Sequence, residues 1–188
     1  MTFTLTVDTE AWRASVRAQI ATASTATGHD LIPVIKGNGY GFGQQLLVDE
    51  VTRLGLPRFA VGTVFEAEQL TATGPTSPDV VVLEPFTPTD LLAARAWERL
   101  TDAQQPRLIR VIANSMALET VARQARETGR SIALILEGRT SLARFGFSPD
   151  DLCAALSTDV ARAALASGAL DIHGLSLHLP LSGPGRSR

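Results

Sequence analysis

The stretch LIPVIKGNGYGFG, from Leu31 to Gly43, joins a short apolar run to a glycine-rich segment. Lys36 stands where the two meet, and it is the only lysine among the 17 lysine and arginine residues of the chain. Alternation along the run would place Ile32, Val34 and Lys36 on one face of a strand, with the lysine at its carboxyl end. Parallel α/β folds bind their ligands at the carboxyl ends of strands, so Lys36 is a candidate functional residue.

The chemistry of this segment favours an amine nucleophile over a nucleotide-binding loop. Apolar neighbours on the strand face would desolvate the Lys36 amine, as nucleophilic and Schiff-base chemistry requires. The glycines would let the backbone approach a ligand closely, and Tyr40, the only tyrosine, offers a hydroxyl. In a phosphate-binding loop the lysine follows the glycines, whereas here it precedes them. The plain alternative is a lysine whose stem lies along a strand edge beside a turn.

Short apolar runs alternate with amphipathic stretches along the whole chain. The pattern predicts helices over 10–24, 43–55, 64–72, 91–100, 115–128 and 149–167, and six strands at Leu31–Lys36, Phe59–Val61, Val80–Leu83, Leu108–Ile112, Ser131–Leu136 and Asp171–Leu179. Such alternation implies parallel strands, either in an open doubly wound sheet or in a (β/α)8 barrel. A barrel usually needs about 250 residues, so length alone favours the open sheet. The turn-rich residues after Pro180 predict a loop.

Composition limits the class of protein. The 188 residues are 45% hydrophobic and carry a net charge of -2 without a basic stripe, which predicts one globular unit over residues 1–188 and no nucleic-acid surface. The lone Cys153 excludes an internal disulfide framework and a multi-cysteine zinc site, and no metal site is predicted. Without an apolar run of roughly 18 residues, we expect no membrane partner and a cytoplasmic location.

Two further strand ends carry polar groups. Arg144 follows the fifth predicted strand in the loop Leu142–Phe147, and His178 lies near the end of the last one. Alternation places Gly174, Ser176 and His178 on one small, polar face of that strand. A lone arginine in a turn or a lone histidine on a strand is most often structural. Arg144 and His178 are therefore candidate site residues only in combination with Lys36.

These residues carry a resemblance to the alanine racemases. Ile35–Gly43, IKGNGYGFG, resembles the family's pyridoxal-phosphate lysine motif, commonly V-K-A-N-A-Y-G-H-G. Leu142–Phe147 resembles M-x-R-L-G-F, and Gly174–Leu179 resembles G-x-x-T-H-F/L. The three motifs occur in the family's order, so the chain is similar to the N-terminal part of this pyridoxal-phosphate-dependent, fold type III family.

The resemblance implies a fold and a larger assembly. The implied fold is a (β/α)8 TIM-type barrel, of which this chain would supply about six of eight units, and this replaces the open sheet favoured by length. The family's C-terminal β domain, and the catalytic tyrosine that it offers to the partner subunit of a homodimer, would be absent. We therefore expect the 188-residue chain alone to be incomplete as a racemase.

The resemblance also implies roles for particular residues. Lys36 would be the Schiff-base lysine that binds pyridoxal 5'-phosphate and the base on one face of the substrate, and Tyr40 would bind the cofactor phosphate. Arg144 would contact the phenolic oxygen of the cofactor ring, and His178 would lie beneath the ring. Asn38, inside the first motif, would support the site.

Glu137 stands seven residues before Arg144, where many family members have a carbamylated lysine. A glutamate supplies the negative charge directly, so we expect Glu137 to pair with Arg144 and orient it.

The function implied by the resemblance is racemisation of alanine or a related small amino acid, which yields D-amino acids. One alternative is a pyridoxal-phosphate-binding barrel without racemase activity, such as a cofactor carrier or a relative of decarboxylases or aldolases. A second alternative is an open-sheet binding domain with no cofactor.

Overall fold

The computed structural model describes residues 6–70, 77–100 and 107–180. The helices are α1 (Thr9–Thr27), α2 (Lys36–Tyr40), α3 (Gln44–Arg53), α4 (Val64–Glu68), α5 (Leu91–Arg99), α6 (Ser115–Thr128), α7 (Pro149–Leu156) and α8 (Asp159–Ala166). The strands are β1 (Arg58–Val61), β2 (Asp79–Val82), β3 (Leu108–Ile112), β4 (Ile132–Gly138) and β5 (Leu170–Leu177). The end of the helix predicted over 64–72 and the predicted loop after Pro180 lie outside the described residues. Within the described ranges, no helix is both long and apolar enough to cross a membrane.

The five strands form one parallel sheet in the order β1-β2-β3-β4-β5. Each strand pairs with the next strand in the chain, and the order never reverses. A doubly wound sheet reverses its strand order at a switch point, whereas a β/α barrel adds each strand beside the previous one. The sheet therefore has the topology of an incomplete TIM-type barrel, as the resemblance implies, and the open sheet favoured by length is wrong.

The two faces of the sheet bury different partners. The main core packs the helices against outward-facing strand residues such as Phe59, Ile112 and Leu134. A second cluster consists of strand residues only and contains Ala60, Val81, Ile109 and Val111, with Ala133 and Ile135 packed against it. Helices thus cover one face of the sheet, and the other face is the concave interior of the partial barrel.

The first predicted strand, Leu31–Lys36, is reduced to a single parallel bridge between Val34 and Ala60. The Ile35 amide donates to the Ala60 carbonyl, and the Ala60 amide donates to the Pro33 carbonyl, both at 2.8 Å. Pro33 has no N–H to extend the ladder, and the backbone leaves the extended conformation already at Ile35, whose φ and ψ are -121° and 28°. The segment still occupies the strand position beside β1, and this keeps Lys36 at the carboxyl edge of the sheet.

Local capping signals fix several helix ends. Asp8, Thr63, Asp90 and Asn114 accept hydrogen bonds from backbone amides of the first turns of α1, α4, α5 and α6. These side chains satisfy amides that have no partner within the helix. Gly129 ends α6 in the left-handed conformation that favours glycine.

Arg110 on β3 is the buried arginine of the main core. Its guanidinium lies 4.5 Å from the centre of the Trp97 ring and 5.4 Å from that of Phe86, and it donates to Gln124 Oε1 at 2.9 Å. Burial lowers the pKa of Arg110 to about 10, because the charged form loses its hydration. Aromatic faces and one amide oxygen stabilise the charge here, with no carboxylate in contact among the described residues.

Candidate active site

Lys36 begins α2, a short turn whose backbone is in the left-handed conformation. Gly37, Asn38 and Gly39 have φ/ψ values of 63/53°, 51/40° and 62/38°, and Tyr40 continues with φ of 54°. Each L-residue other than glycine loses roughly 1–2 kcal/mol in this conformation, so the two glycines reduce the strain. The glycine-rich composition after Lys36 is therefore explained by backbone geometry.

The Lys36 side chain is exposed rather than desolvated. Ile35 is buried at 3% exposure, whereas Ile32 and Val34, on the face of Lys36, are 37% and 40% exposed. The predicted apolar surroundings are wrong for the described chain, because no described element covers this side of the sheet edge. Within the same ranges, the Lys36 ammonium makes no ion pair or hydrogen bond, so its amine is accessible.

Tyr40 and Asn38 lie in the same turn, but of the two only Asn38 makes a side-chain hydrogen bond among the described residues. Tyr40 is 62% exposed, and among the described residues its hydroxyl makes no hydrogen bond. Asn38 Oδ1 accepts from the backbone amide of Gln44, the first residue of α3, at 3.3 Å. Asn38 thus supports the turn by joining it to the start of α3.

Glu66, which the sequence reasoning missed, contacts this turn from α4. Its Oε1 accepts from the Gly37 amide at 2.9 Å, and its Oε2 accepts from the Gly62 amide at 2.6 Å. The signal that could have found it is the spacing Thr63-x-x-Glu66, typical of a helix start at which a glutamate bonds backbone amides.

Glu137 and Arg144 do not pair. Glu137 is 8% exposed and accepts from the Ser176 hydroxyl, its register neighbour on β5, at 2.5 Å. Arg144 lies exposed in the loop after β4, with its guanidinium 5.1 Å from the centre of the Phe145 ring. The predicted pair is wrong because Glu137 points into the sheet interior. The bridge between Gly138 and Phe147 closes the loop that carries the exposed Arg144.

The arginine loop is joined to the end of β5. Thr140 Oγ1 donates to the backbone carbonyl of His178 at 2.5 Å, which leaves the His178 imidazole exposed beside the loop. The predicted alternation of this strand is confirmed, because Gly174 and Ser176 pair with the inward residues of β4.

The carboxyl edge of the sheet therefore carries two groups of candidate residues. Lys36, Tyr40 and Asn38 stand at the β1 end, and Glu137, Arg144 and His178 stand at the β4–β5 end. In the described part of the chain, no hydrogen bond or ion pair joins the two groups. Gly174 pairs with the inward-facing Ile135, and a Cβ added there would meet nothing within 4 Å, so the interior is open at this point.

Comparisons with known proteins identify the family that this chain resembles. The sequence model of the family described as "Alanine racemase, N-terminal domain" matches residues 7–186. The alanine racemase of Mycolicibacterium smegmatis is 31% identical over 150 residues, which cover 80% of this chain and 36% of the relative.

Solved structures of alanine racemases also superpose on this chain. The alanine racemase from Streptomyces coelicolor A3(2) superposes with a TM-score of 0.71 at 25% identity, over 93% of this chain and 44% of the other. The alanine racemase from Bartonella henselae, solved with covalently bound pyridoxal phosphate, has a TM-score of 0.66 at 18% identity, over 90% and 45%. The chain thus spans less than half the length of the relatives that it matches.

Proposed function

This chain belongs to the alanine racemase family, as part of its N-terminal domain, and we propose that it carries the cofactor-binding lysine of a pyridoxal-phosphate-dependent racemase. The proposed substrate is alanine or a related small amino acid. The observation that carries the proposal is the position of Lys36, an accessible amine at the carboxyl edge of a parallel barrel sheet.

The residues present fit pyridoxal phosphate chemically. The cofactor has an aldehyde, a phosphate and a phenolic oxygen, which need an amine and neutral or cationic donors. Lys36, Tyr40 and Arg144 supply such groups, and none of them is engaged by a carboxylate among the described residues. Open space around Gly174 leaves room on the concave face for a planar ring.

Each residue has a distinct role in the proposal. When bound, pyridoxal phosphate supplies an electron sink that makes the substrate's α-hydrogen acidic. Lys36 would hold the cofactor covalently, would be released when the substrate's amine takes its place, and would then move a proton at the α-carbon from one face. Tyr40 would bind the phosphate, Arg144 the phenolic oxygen, and His178 would support the ring from below.

The test uses the uniqueness of Lys36. The protein is incubated with pyridoxal phosphate, reduced with borohydride and mapped by peptide mass spectrometry. We expect the label on the peptide that contains Lys36. In Lys36→Ala the N-terminal amine is the only primary amine left, so an undiminished label would contradict the proposal.

A second measurement separates racemase activity from cofactor binding alone. Interconversion of L- and D-alanine by the full-length protein, loaded with pyridoxal phosphate and not reduced with borohydride, is expected for a racemase and should be abolished in Lys36→Ala. Specific labelling of Lys36 in a full-length protein that does not racemise small amino acids would favour a cofactor-binding barrel of another activity.

A further inference from the structure

The Glu66 carboxylate joins two segments that are distant in sequence. It accepts from the Gly37 amide, 29 residues away, and from the Gly62 amide, which directly follows β1. Gly37 is the residue after Lys36. One carboxylate therefore ties the turn that carries the lysine to the end of the neighbouring strand.

This geometry differs from ordinary helix capping. In a capping box the glutamate bonds the amide of the N-cap residue, which here is Thr63. Thr63 does accept from the Glu66 amide, at 3.3 Å, as the box requires. The Glu66 side chain, however, goes past Thr63 to Gly62 and across to Gly37. The acidic group is thus used for a tertiary contact.

Gly62 is the point at which Glu66 and Lys36 meet. A Cβ added at Gly62 would lie 3.1 Å from Glu66 Oε2 and 3.2 Å from Lys36 Cβ. The carboxylate and the stem of the lysine therefore flank the same glycine, and a larger residue there would displace one of them.

The other side-chain bonds near Lys36 join this segment to α3 and not to β1: Gln44 Nε2 donates to the Ile35 carbonyl at 3.5 Å, and the Gln44 amide donates to Asn38 Oδ1 at 3.3 Å. The bridge at Val34 holds the chain before Lys36 against β1. After Lys36, helix α2 is a short turn with a strained, left-handed backbone. The bond from the Gly37 amide to a carboxylate is charge-assisted, and such bonds are roughly twice as strong as neutral ones.

We propose that Glu66 is a positioning residue for Lys36, which holds the left-handed turn against the end of β1 and so aims the amine into the concave face. The inference rests on the proposed function of Lys36 as the cofactor-binding lysine. Glu66 touches neither cofactor nor substrate in this role and acts through the backbone of Gly37.

The experiment compares Glu66→Ala and Glu66→Gln with Glu68→Ala. Glu68 lies on the same helix, and its carboxylate pairs with Arg99, remote from the turn, so it is a matched control. The alanine variant loses both acceptors. The glutamine variant keeps one acceptor oxygen, and it remains informative if Glu66→Ala does not fold.

Two readouts are needed. Hydrogen exchange of the Gly37 and Gly62 amides, measured by NMR without cofactor, should accelerate by about tenfold or more in Glu66→Ala, as loss of a charge-assisted bond implies. The affinity for pyridoxal phosphate, measured by absorbance titration, should fall by about tenfold in Glu66→Ala and by less in Glu66→Gln. Glu68→Ala should match the wild type in both, and the thermal midpoint should stay constant in the Glu66→Gln protein.

Each result decides between the hypotheses. Unchanged exchange at Gly37 in Glu66→Ala would show that the carboxylate does not hold the turn. Faster exchange with wild-type cofactor affinity would show that the bonds exist without positioning Lys36, and this also overturns the proposal. If the wild type binds no cofactor at Lys36, the proposed function itself fails, and the exchange data then report only a structural contact.

Discussion

Ser176 on β5 donates its hydroxyl to Oε2 of Glu137 on β4 at 2.5 Å, and the two residues are register partners on the concave face of the sheet. Glu137 is only 8% exposed, so this hydroxyl replaces much of the water that the carboxylate would otherwise bind. The negative charge of Glu137 is therefore stabilised by a hydroxyl on the neighbouring strand.

We predict that Ser176→Ala destabilises the protein by about 1–3 kcal/mol, because it leaves a buried carboxylate without its donor. Urea unfolding at pH 7 measures the change. Glu137→Gln in the same background should recover part of the loss, because a neutral amide is less costly to bury than an unpaired charge. If Ser176→Ala unfolds at the wild-type urea concentration, water replaces the hydroxyl and the pair contributes nothing.

The second prediction concerns pH and the contact between α1 and α3. Arg13 donates to both carboxylate oxygens of Glu50, at 2.7 and 2.6 Å, and holds the pKa of Glu50 below its ordinary value of 4.5. A carboxyl whose folded pKa is lowered adds stability above its ordinary pKa, and this stability is lost as pH falls through the folded pKa. Glu50→Gln should therefore be less stable than the wild type at pH 7, and the difference should shrink below pH 4.5.

Urea titrations at pH 7 and at several values below pH 4.5 test this. Glu119→Gln is the control, since the pair of Glu119 with Arg123 is exposed on one helix and its loss should change stability little at any pH. A Glu50→Gln deficit that is the same at all pH values would show that the side-chain shape, not the charge, matters.

Local features of the fold could be predicted from the sequence. Helix α6 begins after Asn114 and ends before Gly129, as predicted, because each cap acts on its own chain neighbours. Strand β3 also has the predicted bounds, Leu108–Ile112, since its residues are buried on both faces and form a continuous apolar run.

Features that depend on residues distant in sequence could not be predicted in this way. The run Leu31–Lys36 has the composition of a strand, yet the backbone leaves the extended conformation at Ile35, and the run makes only a bridge. Glu66 follows a recognisable helix-start spacing, but its contact with Gly37 depends on how α4 packs beside the turn. Glu137 was assigned the wrong partner because sequence spacing does not say which side of the sheet a loop residue faces.

The third prediction separates charge from packing at Arg110. Its pKa of about 10 corresponds to an unfavourable burial of about 3 kcal/mol. The contacts with Trp97 and Phe86 and the bond to Gln124 offset this, at about 2 kcal/mol for a desolvated cation–π contact and about 1.5–3 kcal/mol for a charged hydrogen bond. Since the favourable contributions exceed the burial cost by at most about 2 kcal/mol, Arg110→Met should lower the free energy of unfolding by about 2 kcal/mol or less.

Arg110→Ala should instead lose about 3 kcal/mol, because it leaves a cavity between the two rings. Thermal and urea unfolding of both variants distinguish the effects. A large loss in Arg110→Met as well would mean that the cation–π contacts outweigh desolvation.

The last prediction ranks alanine substitutions in the left-handed turn. The family motif commonly has alanine at the positions of Gly37 and Gly39, but the two sites differ in space. A Cβ at Gly37 would meet nothing within 4 Å, whereas one at Gly39 would lie 2.9 Å from Leu47 Cδ1 and 3.3 Å from the backbone of Gln44. Both substitutions pay the left-handed strain of roughly 1–2 kcal/mol. Gly39→Ala must also move the start of α3, and overpacking of this kind adds about 1–3 kcal/mol.

Gly41→Ala, at φ 91° with open space around it, is the control and should behave like Gly37→Ala. Urea unfolding should therefore rank Gly39→Ala as the least stable of the three. In that variant alone, the Asn38–Gln44 contact should weaken, which faster exchange of the Gln44 amide would report. Equal stabilities for all three variants would show that the turn is not packed against α3, and the support assigned to Asn38 would lose its structural basis.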